Sequence, residues 1–324
     1  MDGEPPSSNK ALGRPSRVAV ALAGAGLALC LLLALAPGGA RGALAWPLDI
    51  SPTAFAYVPL VLVGPTPTPV PTPYACPLTS TNIYTAGFAV QYDLDNPVRP
   101  AWNHADKNLA LRGYTLYTGT LKRELVNYGS DDPTQPPQFA TLFQPYRVPT
   151  LTNFYRVGSW LWAPSPNPGT RGAPITSPKI TALGLATTPG EPLHVPTSDY
   201  DIGMGMEVLV LFADEDTIAL RYTREDSSGA NGYTVHVDNI CTDPNLLALY
   251  NQHDDPAGPR YVFHYRGYCC YDLPNLPAGK VFGTARGDEV VVAIADTGAF
   301  WDPRSCNEWW QIRPGYTGTC PPHD

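Results

Sequence analysis

Glu207-Val208-Leu209-Val210-Leu211-Phe212 and, after Ala213-Asp214-Glu215-Asp216, Thr217-Ile218-Ala219-Leu220-Arg221-Tyr222 are the runs whose reading decides this fold. Both are short, apolar, rich in β-branched and aromatic residues and bounded by an acidic turn, which is the pattern of buried strands. Tyr233 to Val237 and Val290 to Ile294 repeat it. One helix interrupts them. Asp243 is placed to cap it, Pro244 takes the first helical position where its missing N–H costs nothing, and Leu246, Leu247, Leu249 and Tyr250 supply an apolar face to lay on a sheet.

Upstream, from Tyr74 to about Gly190, β-type runs at Phe88 to Tyr92, Tyr114 to Tyr117, Phe154 to Trp162 and Ile180 to Ala186 are separated by Pro, Gly, Asn and Asp clusters. Leu121 to Tyr128, ending at Gly129, suits a short helix or a strand. The expected fold is therefore mainly β, with a small β domain over 75–190 and a second β domain over 191–324. Of the 324 residues 44% are hydrophobic and 15% charged, enough for a core of that size. Proline, at 37 residues against 21 lysines and arginines, favours short strands and rigid connections over helical bundles. A formal charge of −8, with no long basic run beyond the N-terminus, argues against nucleic acid as a partner.

Lys10, Arg14 and Arg17 precede an unbroken apolar run of 19 residues, Val18 to Ala36, closed by Pro37-Gly38-Gly39. This reads as a cytoplasmic N-terminus at 1–17 and a signal peptide or transmembrane anchor at 18–36. A small-x-small site at Ala43-Leu44-Ala45 fits cleavage, and both outcomes stay open. Leu29 before Cys30 excludes lipidation there, where a small residue is required. The positive flank stays inside, so the rest of the chain is extracytoplasmic, anchored or secreted. Residues 37–74 read as a linker. Within it Pro65-Thr66-Pro67-Thr68-Pro69-Val70-Pro71-Thr72-Pro73 favours polyproline II, a semi-rigid spacer of roughly 3 Å per residue.

Apart from Cys30 the cysteines are Cys76, Cys241, Cys269, Cys270, Cys306 and Cys320, an even set that should pair outside the cytoplasm. Spacing does not fix the connectivity. Adjacent Cys269 and Cys270 are read as bonded to different partners, with a vicinal disulfide as the alternative. No Cys-x-x-Cys pair occurs, which argues against a cysteine zinc site.

A hydrolytic metal site needs imidazoles and a carboxylate converging on one cation. His194, His236, His253 and His264, with Asp199, Asp201, Asp238, Asp254 and Asp255 near them in sequence, are raw material for one. His236 and Asp238 alternate along Tyr233 to Asp238 and so share a strand face; lining a cleft they would share a metal, and the solvent-facing reading is favoured. His104-Ala105-Asp106-Lys107 offers a general acid or base, and a turn or helix start explains it as well. No Gly-x-Ser-x-Gly elbow, phosphate-cradling loop or His-Glu-x-x-His helix is present.

Read in order, residues from about Glu191 to Trp310 resemble the lysostaphin-type zinc metalloendopeptidases, which cut peptide bridges in bacterial peptidoglycan. His194 and, one residue displaced, Asp199 stand where that family has an early His and Asp. Met206 to Tyr222 resembles its strand, turn and strand, and Gly232 to Val237 the next strand. Leu249-Tyr250 with His253 resembles a displaced Tyr-x-His signature, and Leu276 to Gly283 the glycine-framed turn. Val290 to Ala295, with Gly298 and Asp302-Pro303 behind it, is similar to the closing segment. The resemblance implies a β-sandwich or barrel-sandwich-like domain with one short helix. It departs from the family in the last strand, where Glu289, Val290 and Val291 replace a His-x-His pair. Losing a zinc ligand there removes affinity and the activated water.

The expectation is a degenerate endopeptidase-like domain with no catalytic residues and no cofactor. His194, Asp199, His236 and His253 are the weak metal candidates should zinc bind after all. Its expected partners are cell wall glycan or peptide, or an envelope protein. Trp160, Trp162, Trp301, Trp309 and Trp310 are available to stack on sugars or to fill the core. The alternatives are an active zinc-dependent endopeptidase with a rearranged site, and a structural surface protein.

Overall fold

The longest apolar run in the C-terminal third, Val290 to Ala295, forms the central strand because successive side chains point to opposite faces and every one of them is buried. The computed structural model describes residues 74–87, 101–128, 135–164, 167–224, 232–253 and 273–320, with the backbone of Phe263–Tyr265 and Tyr268–Cys270. The expected export segment at 18–36, the spacer at 37–73 and the expected strand at Phe88 to Tyr92 lie outside the described residues. Among the described residues no helix is long and apolar enough to cross a membrane.

In chain order the strands are β1 (Thr85–Ala86), β2 (Tyr114–Leu116), β3 (Leu151–Leu161), β4 (Thr170–Pro174), β5 (Ala182–Ala186), β6 (Pro192–His194), β7 (Val208–Ala213), β8 (Thr217–Arg221), β9 (Tyr233–Asp238), β10 (Ile240–Thr242), β11 (Phe263–Tyr265), β12 (Tyr268–Cys270), β13 (Pro274–Leu276), β14 (Val281–Ala285), β15 (Glu289–Asp296) and β16 (Ala299–Trp301). The α-helices are α1 (Leu109–Arg112), α2 (Pro244–His253) and α3 (Cys306–Trp309). The fold is mainly β and its sheets are antiparallel, as the alternation of apolar runs and turns predicts.

An eleven-stranded sheet has the order β1-β13-β7-β8-β9-β15-β5-β3-β2, with β4 added on β3 and β16 on β15. Strand β9 covers one edge of β15, while β5 and then β16 share the other. The sheet therefore draws on both sides of the boundary expected between residues 190 and 191. The described residues from 74 to 320 all fall in one compact unit. A second sheet, β10-β14-β6, and the β11–β12 hairpin complete the set.

Val290, Val292 and Ile294 of β15 enter a large core with Leu183, Leu185, Val235, Val237 and Leu220. Val291, Ala293 and Ala295 enter a smaller core on the other face, with Leu109 of α1, Val157, Ala182 and Phe300. Helix α2 begins as its sequence dictates, the Asp243 carboxylate accepting the Asn245 N–H at 2.9 Å, and it buries Leu246 and Tyr250. Leu121 to Tyr128 forms neither a helix nor a strand; a single bridge from Val126 to Ser305 fixes it. Trp309 and Trp310 are core residues, whereas Trp162 and Trp301 are exposed.

Among the described residues two disulfides are present. Cys76–Cys241 spans 165 residues and ties the start of the body to β10, and Cys306–Cys320 closes a separation of 14. Such bonds persist in an oxidising environment. In the chain-entropy picture the longer loop contributes more. Replacing both Cys76 and Cys241 by serine is expected to lower the unfolding free energy by about 5 kcal/mol, against about 3 kcal/mol for the Cys306/Cys320 pair. Urea unfolding of the two double variants measures this, and equal losses would remove loop entropy as the cause.

Candidate functional site

The face of the sheet that carries the smaller core changes character along its strands. At one end α1 and β16 cover it, and His236 of β9 lies beneath them, 1% exposed, opposite Ala219 and Ala293. Its ring stacks on Phe300 at 5.8 Å, and among the described residues neither ring nitrogen has a hydrogen-bond partner. This corrects the solvent-facing reading, because α1 and the β15–β16 hairpin close over the strand face from remote parts of the chain. Burial, and then the charge of Arg112, hold the imidazole down at about 3, so it stays neutral.

Toward the other end the same face becomes polar and half-open. Asp238 lies opposite Thr217 on one side and Val291 on the other, and Glu289, two residues before Val291, shares its face. Diagonal pairs of this kind are ~7–8 Å apart at their backbones. Thr217 donates its hydroxyl to Asp238. Glu289 accepts from Tyr155 at 2.7 Å, from Asn153 at 2.8 Å and from the Thr152 hydroxyl. Gly184 sits beneath that carboxylate, and any side chain there would collide with it, so a glycine is what lets Glu289 lie flat against the sheet. Tyr114 meets Tyr155 edge-on at 4.9 Å.

Electrostatics follow from this crowding. Burial, and the repulsion of Asp216, push Asp238 up to about 6 against the hydrogen bond from Thr217. Burial, then the charges of Asp238, Glu289 and Asp216, push the Tyr114 hydroxyl up to about 12. Tyr155 is raised by burial and by its hydrogen bond to Glu289. The face thus presents two tyrosine hydroxyls, the Glu289 side chain anchored by three donors and, in Asp238, a carboxyl group that is easily protonated near neutral pH. These are partners for hydroxyl or amine groups.

The weak metal candidates do not come together. His194 is in β6 of the second sheet, paired with Val281, and burial lowers its pKa. Asp199 is in the following loop, where its backbone N–H donates to the Gln135 carbonyl at 2.9 Å. His236 is sealed in the main sheet, and His253 ends α2. Among the described residues no three of His, Cys, Asp and Glu are grouped as a metal site. Of Glu289, Val290 and Val291, the three residues compared above with a His-x-His run, Glu289 is held by Tyr155, Asn153 and Thr152, while Val290 and Val291 point into opposite cores. His104-Ala105-Asp106-Lys107 forms a turn ahead of α1, and Asp106 pairs with Arg112 at 2.5 Å. Glu289 and Tyr155, which hold the polar face together, carry no local motif; only strand pairing unites them. No family model, curated protein or solved structure matches the chain.

Two variants probe this face. An imidazole with both nitrogens unpartnered in a core is a cost, so His236→Leu is expected to raise stability by about 1–2 kcal/mol at pH 7. Because the folded state holds His236 below its ordinary value, wild-type stability is lost as pH falls from about 6.5 toward 3, and the gain from the variant should grow over that window. Asp238 has the opposite sign: its folded pKa is raised, so its contribution is best below about 4 and is lost as pH rises through about 6. Asp238→Asn should therefore stabilise by up to ~2 kcal/mol at pH 8 and by little at pH 4. Thermal melts across pH 4 to 8 decide both, and a pH-independent difference would refute the assignments.

Proposed function

We propose that this chain is an exported cell-envelope protein whose body is a non-catalytic binding domain for wall material, reading hydroxyl and amine groups on the Asp238–Glu289 face. The observation that carries this is the half-open face itself, where two carboxylates on adjacent strands sit with Tyr114 and Tyr155. The face is rich in hydrogen-bonding groups and poor in nucleophiles. Supporting it are the disulfides, which fit life outside the cytoplasm, and the apolar run at 18–36 with the spacer behind it. An acidic chain fits neutral or amine-bearing wall components better than anionic ones.

The likeness to lysostaphin-type endopeptidases belongs to this proposal. The order of strands from Glu191 to Trp310, with valines where zinc would be held, favours a degenerate peptidase-like sandwich kept for recognition. An active zinc endopeptidase would require His194, Asp199, His236 or His253 to regroup, and a structural surface role would require no ligand.

Sedimentation of the full-length chain with purified peptidoglycan, together with elemental analysis for zinc, tests the three readings. Co-sedimentation without released peptides, weakened in Asp238→Ala, is the expected result. Released peptides with stoichiometric zinc would establish the endopeptidase instead, and absence of co-sedimentation would leave the structural role.

A further inference from the structure

Downstream of the central strand, the segment Ala299 to Ser305 borders a second concavity. A cavity of about 350 Å³ is lined by Tyr128, Ser177, Phe300, Trp301, Ser305 and Glu308, among others. That volume is at the small end of the ~300–1,000 Å³ typical of small-molecule sites. It suits one compact ring.

Its walls are fixed before any ligand arrives. Arg304 and Asp302 form a fully buried ion pair at 2.8 Å. Tyr128 closes that pair at its tip, donating to Asp302 at 2.8 Å and accepting from Arg304 at 2.7 Å, so its ring is held at the cavity. The indole N–H groups of Trp309 and Trp310 donate to the carbonyls of Asp302 and Pro303, at 3.0 and 2.8 Å. Phe300 is backed by His236 and by the Arg112 guanidinium, 5.2 Å from its ring. Cys306–Cys320 staples the next residues. Against this rigid frame Trp301 is left 45% exposed.

Ser305 is the second observation. It stands at the N-cap of α3, where a serine hydroxyl ordinarily accepts from a backbone N–H of the first turn, yet it makes no capping bond. It is 2% exposed, lines the cavity, and its hydroxyl has no partner among the described residues. A buried hydroxyl left unsatisfied costs about 1–3 kcal/mol, and such groups in native proteins call for an explanation.

We propose that this cavity is a subsite for a neutral sugar ring, with Trp301 as the stacking platform, Tyr128 and Phe300 as walls, and Ser305 and Glu308 meeting ring hydroxyls. The inference rests on the wall-binding reading and gives it a ligand class. Aromatic faces accept the apolar C–H face of a pyranose, while its hydroxyls both donate and accept, which is what the Ser305 hydroxyl lacks. Glu308 in the lining disfavours phosphate or carboxylate ligands, and none of the lining side chains is cationic. The Asp302 carboxylate is spent on Arg304 and Tyr128, so it acts as a positioning group.

The test titrates the full-length chain, kept in detergent through its apolar N-terminal run, with the trimer of N-acetylglucosamine, following tryptophan fluorescence. Sedimentation with peptidoglycan is run in parallel. Saturable binding is expected, weakened about tenfold or more in Trp301→Ala, less in Trp301→Phe, and measurably in Ser305→Ala. Trp162→Ala, at an exposed tryptophan beside His104, should bind as wild type does. Equal binding by wild type and Trp301→Ala overturns the subsite, as does tetramethylammonium binding without sugar binding. No trimer binding with peptidoglycan sedimentation intact overturns the subsite alone, and loss of both overturns the wall-binding reading with it.

Discussion

Strand β15 is buried on both faces, and the rest of the molecule is arranged to keep it so. A run in which Val290, Val292 and Ile294 face one way and Val291, Ala293 and Ala295 the other leaves no polar side for solvent. It needs a neighbour on each edge and a layer on each face. β9 and the β5–β16 pair supply the edges. The large core covers one face, and α1 with Phe300 covers part of the other. Each valine or isoleucine hidden in this way is worth ~1.5–3 kcal/mol relative to exposure, so the packing of one strand outweighs most single polar contacts in the fold.

That second layer does not run the whole length of the sheet face. Over His236 the cover is tight enough to strip the imidazole of every partner. Beyond it, the sheet carries side chains too polar for a core, and they settle among themselves. Glu289 binds Tyr155, Asn153 and Thr152, which ties the end of β15 to β3 two strands away. Glu289 thereby cross-braces the sheet. Asp238, bonded to the Thr217 hydroxyl, is a crowded, partly shielded carboxyl that resists ionisation.

The aromatic cavity borders the smaller core: Phe300 contributes to that core, stacks on His236 and lines the cavity, so the β15–β16 hairpin positions both. Rigidity around Ser305 comes from the buried Arg304–Asp302 pair and two indole N–H groups rather than from regular structure. A buried ion pair contributes little net stability, but with its hydrogen bonds filled it holds one geometry.

The sequence by itself determined the β character, the helix at Pro244 with its Asp243 cap, and the strands at Val208, Thr217, Tyr233 and Glu289, because alternation, capping and turn chemistry are local. Only the tertiary structure decided that residues before and after 190 share one sheet, since strand pairing over long separations leaves no local trace. The same holds for His236. Its strand alternation is compatible with either face being wet, and what buried it was α1 and Phe300, arriving from more than a hundred residues upstream and from the far side of β15. Trp301 and Trp309 are likewise indistinguishable in composition, and one is exposed and one buried because a chain that folds back on itself has only one inside.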